Sequence, residues 1–244
     1  MNILYDSFII YSTLVVSYLT GSFIGYYLDY NQILTKYKIK NRTKEEYHEL
    51  YKNLAPRVLK NVCIYSYPYI YGMLYINNKI NINSHEYYDF EYKIFHILNL
   101  LKFSYYYFIS IIITDIVFYT CHYLLHSKYL YKYHKIHHEI INPISISALY
   151  VHPLDLYISN LTPISCSLLI LNYNIFTLQI LIVIQILFTT LIGHGGYRKL
   201  SEDHYIHHAK FIYNYGICSY KLNMDHLMNT KYIKPMIEII DTNK

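Results

Sequence analysis

Between residues 122 and 138 the chain reads HYLLHSKYLYKYHKIHH, which sets His122 and His126 four apart and then places His134, His137 and His138 at offsets zero, three and four. The second pattern recurs as His204, His207 and His208. On a helix, residues three and four apart share a face, so each cluster would aim its imidazoles in one direction. With His152 and His194, ten of the 14 histidines fall between positions 122 and 208. A structural zinc ion takes four ligands and a catalytic one about three, so ten are too many for one ion and suit two. Neutral imidazole favours Fe, Zn, Cu or Ni over Mg or Ca. The set of two Glu-x2-His motifs that soluble di-iron bundles use is absent, and so is His-Glu-x2-His. Glu139 follows the second box and is better placed to hold an imidazole than to bind metal itself. His48, His85, His96 and His226 stand alone and read as ordinary surface or core residues.

These boxes need a scaffold, and the rest of the sequence describes one. A chain of 244 residues is compatible with a single domain. Its 34 tyrosines and lack of tryptophan read as nucleotide bias rather than function. The charge of +5 is modest and gathered in a few segments, which argues for membrane flanks and against a nucleic-acid partner. Cys63, Cys121, Cys166 and Cys218 stand far apart, which excludes a disulfide scaffold and thiolate zinc. Cys121 reads as a packing residue.

Residues 7–28 hold no charged side chain in 22 positions, enough to span a bilayer, with Gly21 and Gly25 offering a helix-packing face. Residues 31–57 carry seven Lys or Arg against three Glu, which by the positive-inside rule places this loop in the cytoplasm. Residues 61–76 are uncharged but short, with Pro68 in the middle, and either cross with a kink or dip in and return. Residues 77–93 have a net charge of −1, fitting the opposite side. Residues 103–121 form a further span interrupted by Asp115. An acid there marks a functional site by default, or supports a neighbour near the interface. Residues 154–171 and 175–192 read as a hairpin that goes in and comes back, around Asn172-Tyr173-Asn174. The expected fold is an all-α, multi-pass membrane bundle of about four to five segments, with a histidine-rich di-metal site on its cytoplasmic face.

The order His-x3-His, His-x2-His-His, membrane hairpin, His-x2-His-His resembles the fatty acid hydroxylase superfamily of membrane di-iron oxygenases, which includes sterol desaturases. Further segments carry the likeness. His152-Pro-Leu-Asp155 resembles the His-Pro-Leu/Ile-Asp/Glu motif of sterol C4-methyl oxidases and C5-desaturases. GHGGY at 193–197 resembles a His-Ser-Gly-Tyr element. The third box followed by Asn214-Tyr-Gly216, and MDHLMNT at 224–230, resemble the closing part of the domain. Met224 stands where the family usually has Trp, and Asn229 where it has Gly, which bears on subfamily rather than on metal binding. The likeness divides the chain into an N-terminal membrane region (1–99), a catalytic domain (100–232) and a tail (233–244).

The resemblance implies two iron ions held by His122, His126, His134, His137, His138, His204, His207 and His208, with His152 and His194 as further ligands and no other catalytic side chain. It implies O2-dependent hydroxylation or desaturation of a lipid, on the sterol side because His-Pro-Leu-Asp and Asn-Tyr-Gly occur together. Fatty acid or alkylglycerol hydroxylation is the alternative. It also implies the endoplasmic reticulum membrane and electrons from an NAD(P)H-dependent chain through a cytochrome b5-type carrier, since the sequence has no flavin, nicotinamide or haem motif. A non-catalytic metal-binding membrane protein or a transporter is the reading from another class. A transporter would place polar ligands inside its spans, whereas these histidines fall at span ends.

Overall fold

The structure, a computed structural model, describes residues 3–80, 97–171, 175–217 and 223–233. Most of the acidic stretch 77–93, the hairpin tip 172–174, Cys218 and nearly all of the tail 233–244 lie outside the described residues. Among the described residues the chain is helical, with no strand and one isolated bridge between Lys38 and Tyr197. Its longer helices are α1 (Ile3–Tyr30), α2 (Lys44–Lys60), α3 (Ser66–Ile80), α4 (Ile97–Leu125), α7 (Thr162–Leu171), α8 (Ile175–Leu187) and α9 (Glu202–Lys210). Three short ones, α5 (Tyr131–His134), α6 (Pro153–Asp155) and α10 (Met224–Leu227), complete the set.

Four stretches are long and apolar enough to cross a membrane: Ile3–Tyr30, Phe103–Leu125, Pro153–Leu171 and Ile175–Gly193, of 28, 23, 19 and 19 residues. Each of them leaves most of its surface uncovered by protein, as a lipid-facing helix does. The stretch 61–76 is not among them. It belongs to a continuous helical run in which α2 opens into a π turn, Asn61–Tyr65, and continues as α3. Pro68, whose ring removes one helical N–H, sits just after that turn. A capping box starts the run: Thr43 Oγ1 accepts the Glu46 N–H, and Glu46 accepts the Thr43 N–H (3.2 and 2.7 Å).

α1 lies along α8 and α3, and α4 lies along α7. The small residues of α1 make this approach possible. A Cβ on Gly21 would fall 2.3 Å from Thr190 Oγ1, and one on Gly25 would fall 2.1 Å from Ser145 Oγ. The same helix grips the 3-10 turn Ser145–Leu149 that follows the second histidine box. The buried Tyr18 hydroxyl donates to the Ile146 carbonyl (2.7 Å) and accepts the Leu149 N–H (3.1 Å). From the other side, Asn61 Nδ2 donates to the carbonyls of Leu149 and Val151 (2.8 and 3.0 Å). The membrane helix α1 and the turn between α2 and α3 thus hold the loop that joins the histidines of α5 to α6.

The N-terminal region is tied to the same end of the bundle by a buried ion pair. Lys38 Nζ meets Asp29 Oδ1 at 2.5 Å, donates to the Gly195 carbonyl (2.6 Å) and lies 4.0 Å from the Tyr197 ring centroid. Tyr51 donates to the second Asp29 oxygen (3.0 Å). Burial pushes the Lys38 ammonium below its usual range, with the Asp29 charge opposing. Lys38→Met would leave Asp29 buried without its cation, a change that typically costs about 3–5 kcal/mol. Thermal unfolding in detergent should show that loss, and Lys38→Met with Asp29→Asn should recover part of it.

Candidate metal centre

The C-terminal ends of α1 and α4 and both hairpin ends near Pro153 and Gly193 meet at one end of the bundle, and the histidines collect there. His122 occupies the last turn of α4, and His126 follows one turn on, its N–H on the His122 carbonyl (3.2 Å). The third box lies on α9 as its spacing predicts. The second box does not form one helix. α5 ends at His134, and His137 and His138 lie in a separate 3-10 turn, His137–Glu139. Three residues per turn crowd side chains differently from an α-helix, and the break lets this short loop turn back over the membrane face.

Nine histidines form two groups. His122, His126, His134, His138 and His207 make one; His137, His194, His204 and His208 make the other. Within a group, the ligand atoms all lie within 4.8 Å of one another. The two His-x2-His-His boxes are interleaved. The first and last histidine of each box serve one group, and the third-offset histidine, His137 or His207, serves the other. On α9 the geometry explains this, because residues three and four ahead point about 60° and 40° to opposite sides of the first. The rings of His138 and His208 lie 4.6 Å apart, so the groups are neighbours.

The protonation pattern tests whether this set suits a cation. His122 Nδ1 lies 2.7 Å from the Tyr215 carbonyl, His207 Nδ1 2.7 Å from that of Tyr213, and His194 Nδ1 3.0 Å from that of Thr189. His134 Nδ1 lies 2.8 Å from Asp155 Oδ2. A carbonyl or carboxylate only accepts, so each Nδ1 carries the proton and each Nε2 is left with a lone pair. Yet Nε2 of His122 and Nε2 of His134 lie 3.0 Å apart, with no proton available to either. Six further Nε2 pairs within the groups approach to between 2.8 and 3.2 Å. Facing lone pairs repel, and a cation between them removes the repulsion. Nitrogens about 3 Å apart also match bonds of about 2.1 Å meeting near a right angle. The set fits metal.

The supports of these rings come from backbone and from acids the spacing rule did not flag. Asp155 is fully buried; besides His134 it accepts the Ser159 hydroxyl on Oδ1 (2.5 Å). The Asn214–Gly216 turn, with buried Asn214 at φ +55°, carries the Tyr215 carbonyl. Asp225 accepts the N–H groups of Tyr215 and Gly216, both at 2.8 Å, and the Thr230 hydroxyl (2.8 Å). Asp115 accepts the Met224 N–H (3.0 Å), so this membrane acid braces α10 against α4. Glu139 is exposed and accepts the Tyr150 hydroxyl (3.2 Å), so it holds no imidazole. His152 stands outside both groups: its Nδ1 accepts the Leu154 N–H (3.1 Å) and caps α6. The acid three residues later in the same motif contacts the site instead. Its position, immediately before an apolar run, was the available signal.

Burial makes ionisation of these imidazoles costly in the metal-free chain. Desolvation lowers His194 to about 4; with the His134 charge it lowers His126 to about 3; and with His134 and His126 it lowers His138 to about 2. His137, His204, His207 and His208 are held well below the usual range by burial first and neighbouring imidazoles second. In the unfolded chain each ionises near about 6.5. Below that pH the unfolded state binds more protons, so stability is complete above it and falls as pH drops towards the folded values. The metal-free protein should therefore show a falling unfolding temperature on acidification from pH 7 to 5, readable by a thermal-shift scan.

The Fatty acid hydroxylase family profile matches residues 107–230, just over half of the chain. Fatty acid hydroxylase domain-containing protein 2 of Homo sapiens is 34% identical over 124 residues, covering 49% of this chain and 36% of the relative. Fatty acid hydroxylase ahd1 of Mycosarcoma maydis is 38% identical over 113 residues, 44% of this chain and 29% of the relative. This chain thus spans about a third of the length of both. Methylsterol monooxygenase 1 of Rattus norvegicus is 29% identical over 228 residues, 87% of this chain and 72% of the relative. No solved structure matches the chain. The profile spans all three histidine boxes together with the Asp155 and Asp225 supports, and on that ground the chain belongs to the fatty acid hydroxylase family.

Proposed function

We propose that the chain is a membrane-bound, O2-dependent oxidoreductase that holds two iron ions among its nine clustered histidines and hydroxylates or desaturates a sterol, at a C4-methyl group or at C5. The observation that carries this reading is the close approach of Nε2 atoms in two groups, four of them, on His122, His134, His194 and His207, left as lone pairs by their Nδ1 partners. His122, His126, His134, His138 and His207 would hold one ion, and His137, His194, His204 and His208 the other. Bound iron supplies O2 activation and the capacity to oxidise an unactivated C–H bond. The chain's own residues do the rest. Tyr213, Tyr215, Thr189 and Asp155 lock the imidazoles in the metal-binding tautomer. The apolar walls between α4, α7 and α8 receive the lipid and exclude water from the histidine chamber.

The long match to methylsterol monooxygenase 1 and the His152–Asp155 motif support the sterol class. The fatty acid hydroxylase of Mycosarcoma maydis, at 38% identity, supports a fatty acid as the second reading, with alkylglycerol beside it. The basic segment 31–57 and the exposed Lys128, Lys132 and Lys135 beside the boxes support a cytoplasmic metal face. Electrons would come from an NAD(P)H reductase through a cytochrome b5-type carrier, in the endoplasmic reticulum. The test compares sterol and fatty acid profiles of cells expressing the wild type and His137→Ala. The reading expects the wild type alone to deplete a methylated or Δ5-saturated sterol. Identical profiles would refute it.

A further inference from the structure

Two spaces meet beneath the histidines. The outer one, between α1, α4, α7 and α8, has a cavity volume of about 150 Å³ and is walled by residues such as Leu14, Ile111, Leu161, Ile164 and Ile186. The inner one is lined by His122, His134, His137, His194 and His204. Phe118, Asn160, Phe188 and Thr189 line both, which makes them the junction. Asn160 and Thr189 lie on two π turns, Leu156–Leu161 and Phe188–Gly193, at the histidine ends of the hairpin helices. Such turns recur at functional sites because they redirect side chains that a regular helix would turn away.

The polarity of this junction is set by the metal site itself. Ser159 Oγ donates its only proton to Asp155 Oδ1 (2.5 Å), and Asp155 Oδ2 holds His134 (2.8 Å). Ser159 Oγ can therefore only accept from Asn160, at 3.0 Å, which fixes the amide nitrogen on that side. The Asn160 Oδ1 atom is left as an acceptor with no partner among the described residues. Thr189 gives its carbonyl to His194, and its hydroxyl likewise makes no hydrogen bond among them. The junction thus presents one fixed acceptor and one hydroxyl that donates or accepts. Among the described residues no lysine or arginine lines either space, while Asp155 and Asp203 line the inner one. An ionised carboxylate offers no donor to Asn160 and meets no cation among these side chains.

We infer that Asn160 and Thr189 bind the hydroxyl of a neutral lipid alcohol at this junction, so that a carbon adjacent to the hydroxyl sits under the histidines and the apolar body fills the outer space. The lipid O–H donates to Asn160 Oδ1, and its oxygen accepts from Thr189 Oγ. The inference rests on the lipid-oxidation reading and narrows it: the substrate class is a lipid alcohol, and a free fatty acid is rejected.

The test uses the full-length chain, metal-free and iron-loaded, in nanodiscs. Binding of radiolabelled cholesterol, cholesterol 3-methyl ether and oleate is measured for the wild type, Asn160→Leu, Thr189→Val and Gln185→Leu. Gln185 lines only the outer space and serves as the control for a polar anchor at the deep end. The wild type should bind cholesterol about tenfold more tightly than the ether, the worth of one buried hydrogen bond, and oleate more weakly still. Asn160→Leu should cut the preference to within about threefold, Thr189→Val should weaken cholesterol and its ether alike because both oxygens accept from Thr189, and Gln185→Leu should leave the preference unchanged. Equal binding of cholesterol and its ether by the wild type would overturn the inference, as would oleate binding most tightly. So would a preference lost only in Gln185→Leu. Thr189→Val, nearly isosteric, keeps the test valid if Asn160→Leu fails to fold, because unchanged binding of both cholesterol and its ether in that variant would overturn the inference. Absence of iron from the loaded preparation would refute the oxygenase reading without touching the binding result.

Discussion

His208→Ala is expected to remove about one of two bound ions per chain and to abolish lipid oxidation, while His126→Ala leaves metal content closer to the wild type. The difference follows from ligand count. His208 belongs to the group of four, so its loss leaves three imidazoles, and its Nε2 is the atom that approaches both His137 and His204 (3.2 and 2.9 Å). His126 belongs to the group of five, and its loss leaves four, a complete set for many first-row metals. His126 is also the partly exposed member, where water can take the vacated position. Activity should fall by more than about a hundredfold in His208→Ala, because the lost ion is part of the oxidising unit rather than a support. Metal analysis of the purified variants by plasma mass spectrometry reads the difference directly. Equal metal loss in both variants would mean that the two groups do not bind separately.

Asp155→Asn should weaken metal binding or activity by about 10–100-fold, although it changes no atom of the ligand set and keeps the side chain's shape. Among the described residues the carboxylate is the only support of His134 Nδ1, and it is wholly buried. An amide in its place can present N–H groups to His134 Nδ1. That would move the imidazole proton to Nε2, the nitrogen needed for metal, and it would weaken the Ser159 contact. Asp155→Glu should be less damaging in charge but misplaced in reach. A metal titration on the three proteins checks this. Wild-type affinity in Asp155→Asn would show that the carboxylate contributes nothing to ligand orientation.

Much of this site was legible because the chemistry lies in residue type and spacing. The His-x3-His pair, the two His-x2-His-His boxes and the uncharged spans were enough to place nine of the ten proposed ligands on one end of a hairpin. The interleaving departs from the expectation that each box aims its imidazoles in one direction: on α9 the third and fourth offsets point to opposite sides of the first, and the second box is broken between α5 and a 3-10 turn. What spacing could not show is the support. Four imidazoles are oriented by three backbone carbonyls and one acid, and a carbonyl has no signature in the sequence. Glu139 was the expected acid because it adjoins a box, yet it lies outside, and Asp155 reaches His134 only through the fold. The same tertiary contact separates His152 from the histidine groups, because its ring caps the short helix that presents Asp155. The second box breaks from a helix because a loop held by Tyr18 and Asn61 must reverse there. Residues 61–76 resisted reading for another reason: they combine tyrosine and asparagine in a helix that packs on α1 without the apolar character of the other four spans.

The network Asn160–Ser159–Asp155–His134 links the junction of the two spaces to the histidine groups through three short contacts. One carboxylate thus both holds the His134 ring and fixes the polarity of the Asn160 amide. Changes at Asp155 should therefore alter lipid selectivity as well as metal affinity.

Each of the two histidine groups is expected to hold one iron ion. Transition-metal stoichiometry on freshly purified, full-length protein in detergent, with the element identified in the same run, measures this directly. About two iron ions per chain are expected. Less than one transition-metal ion per chain after iron loading would contradict it.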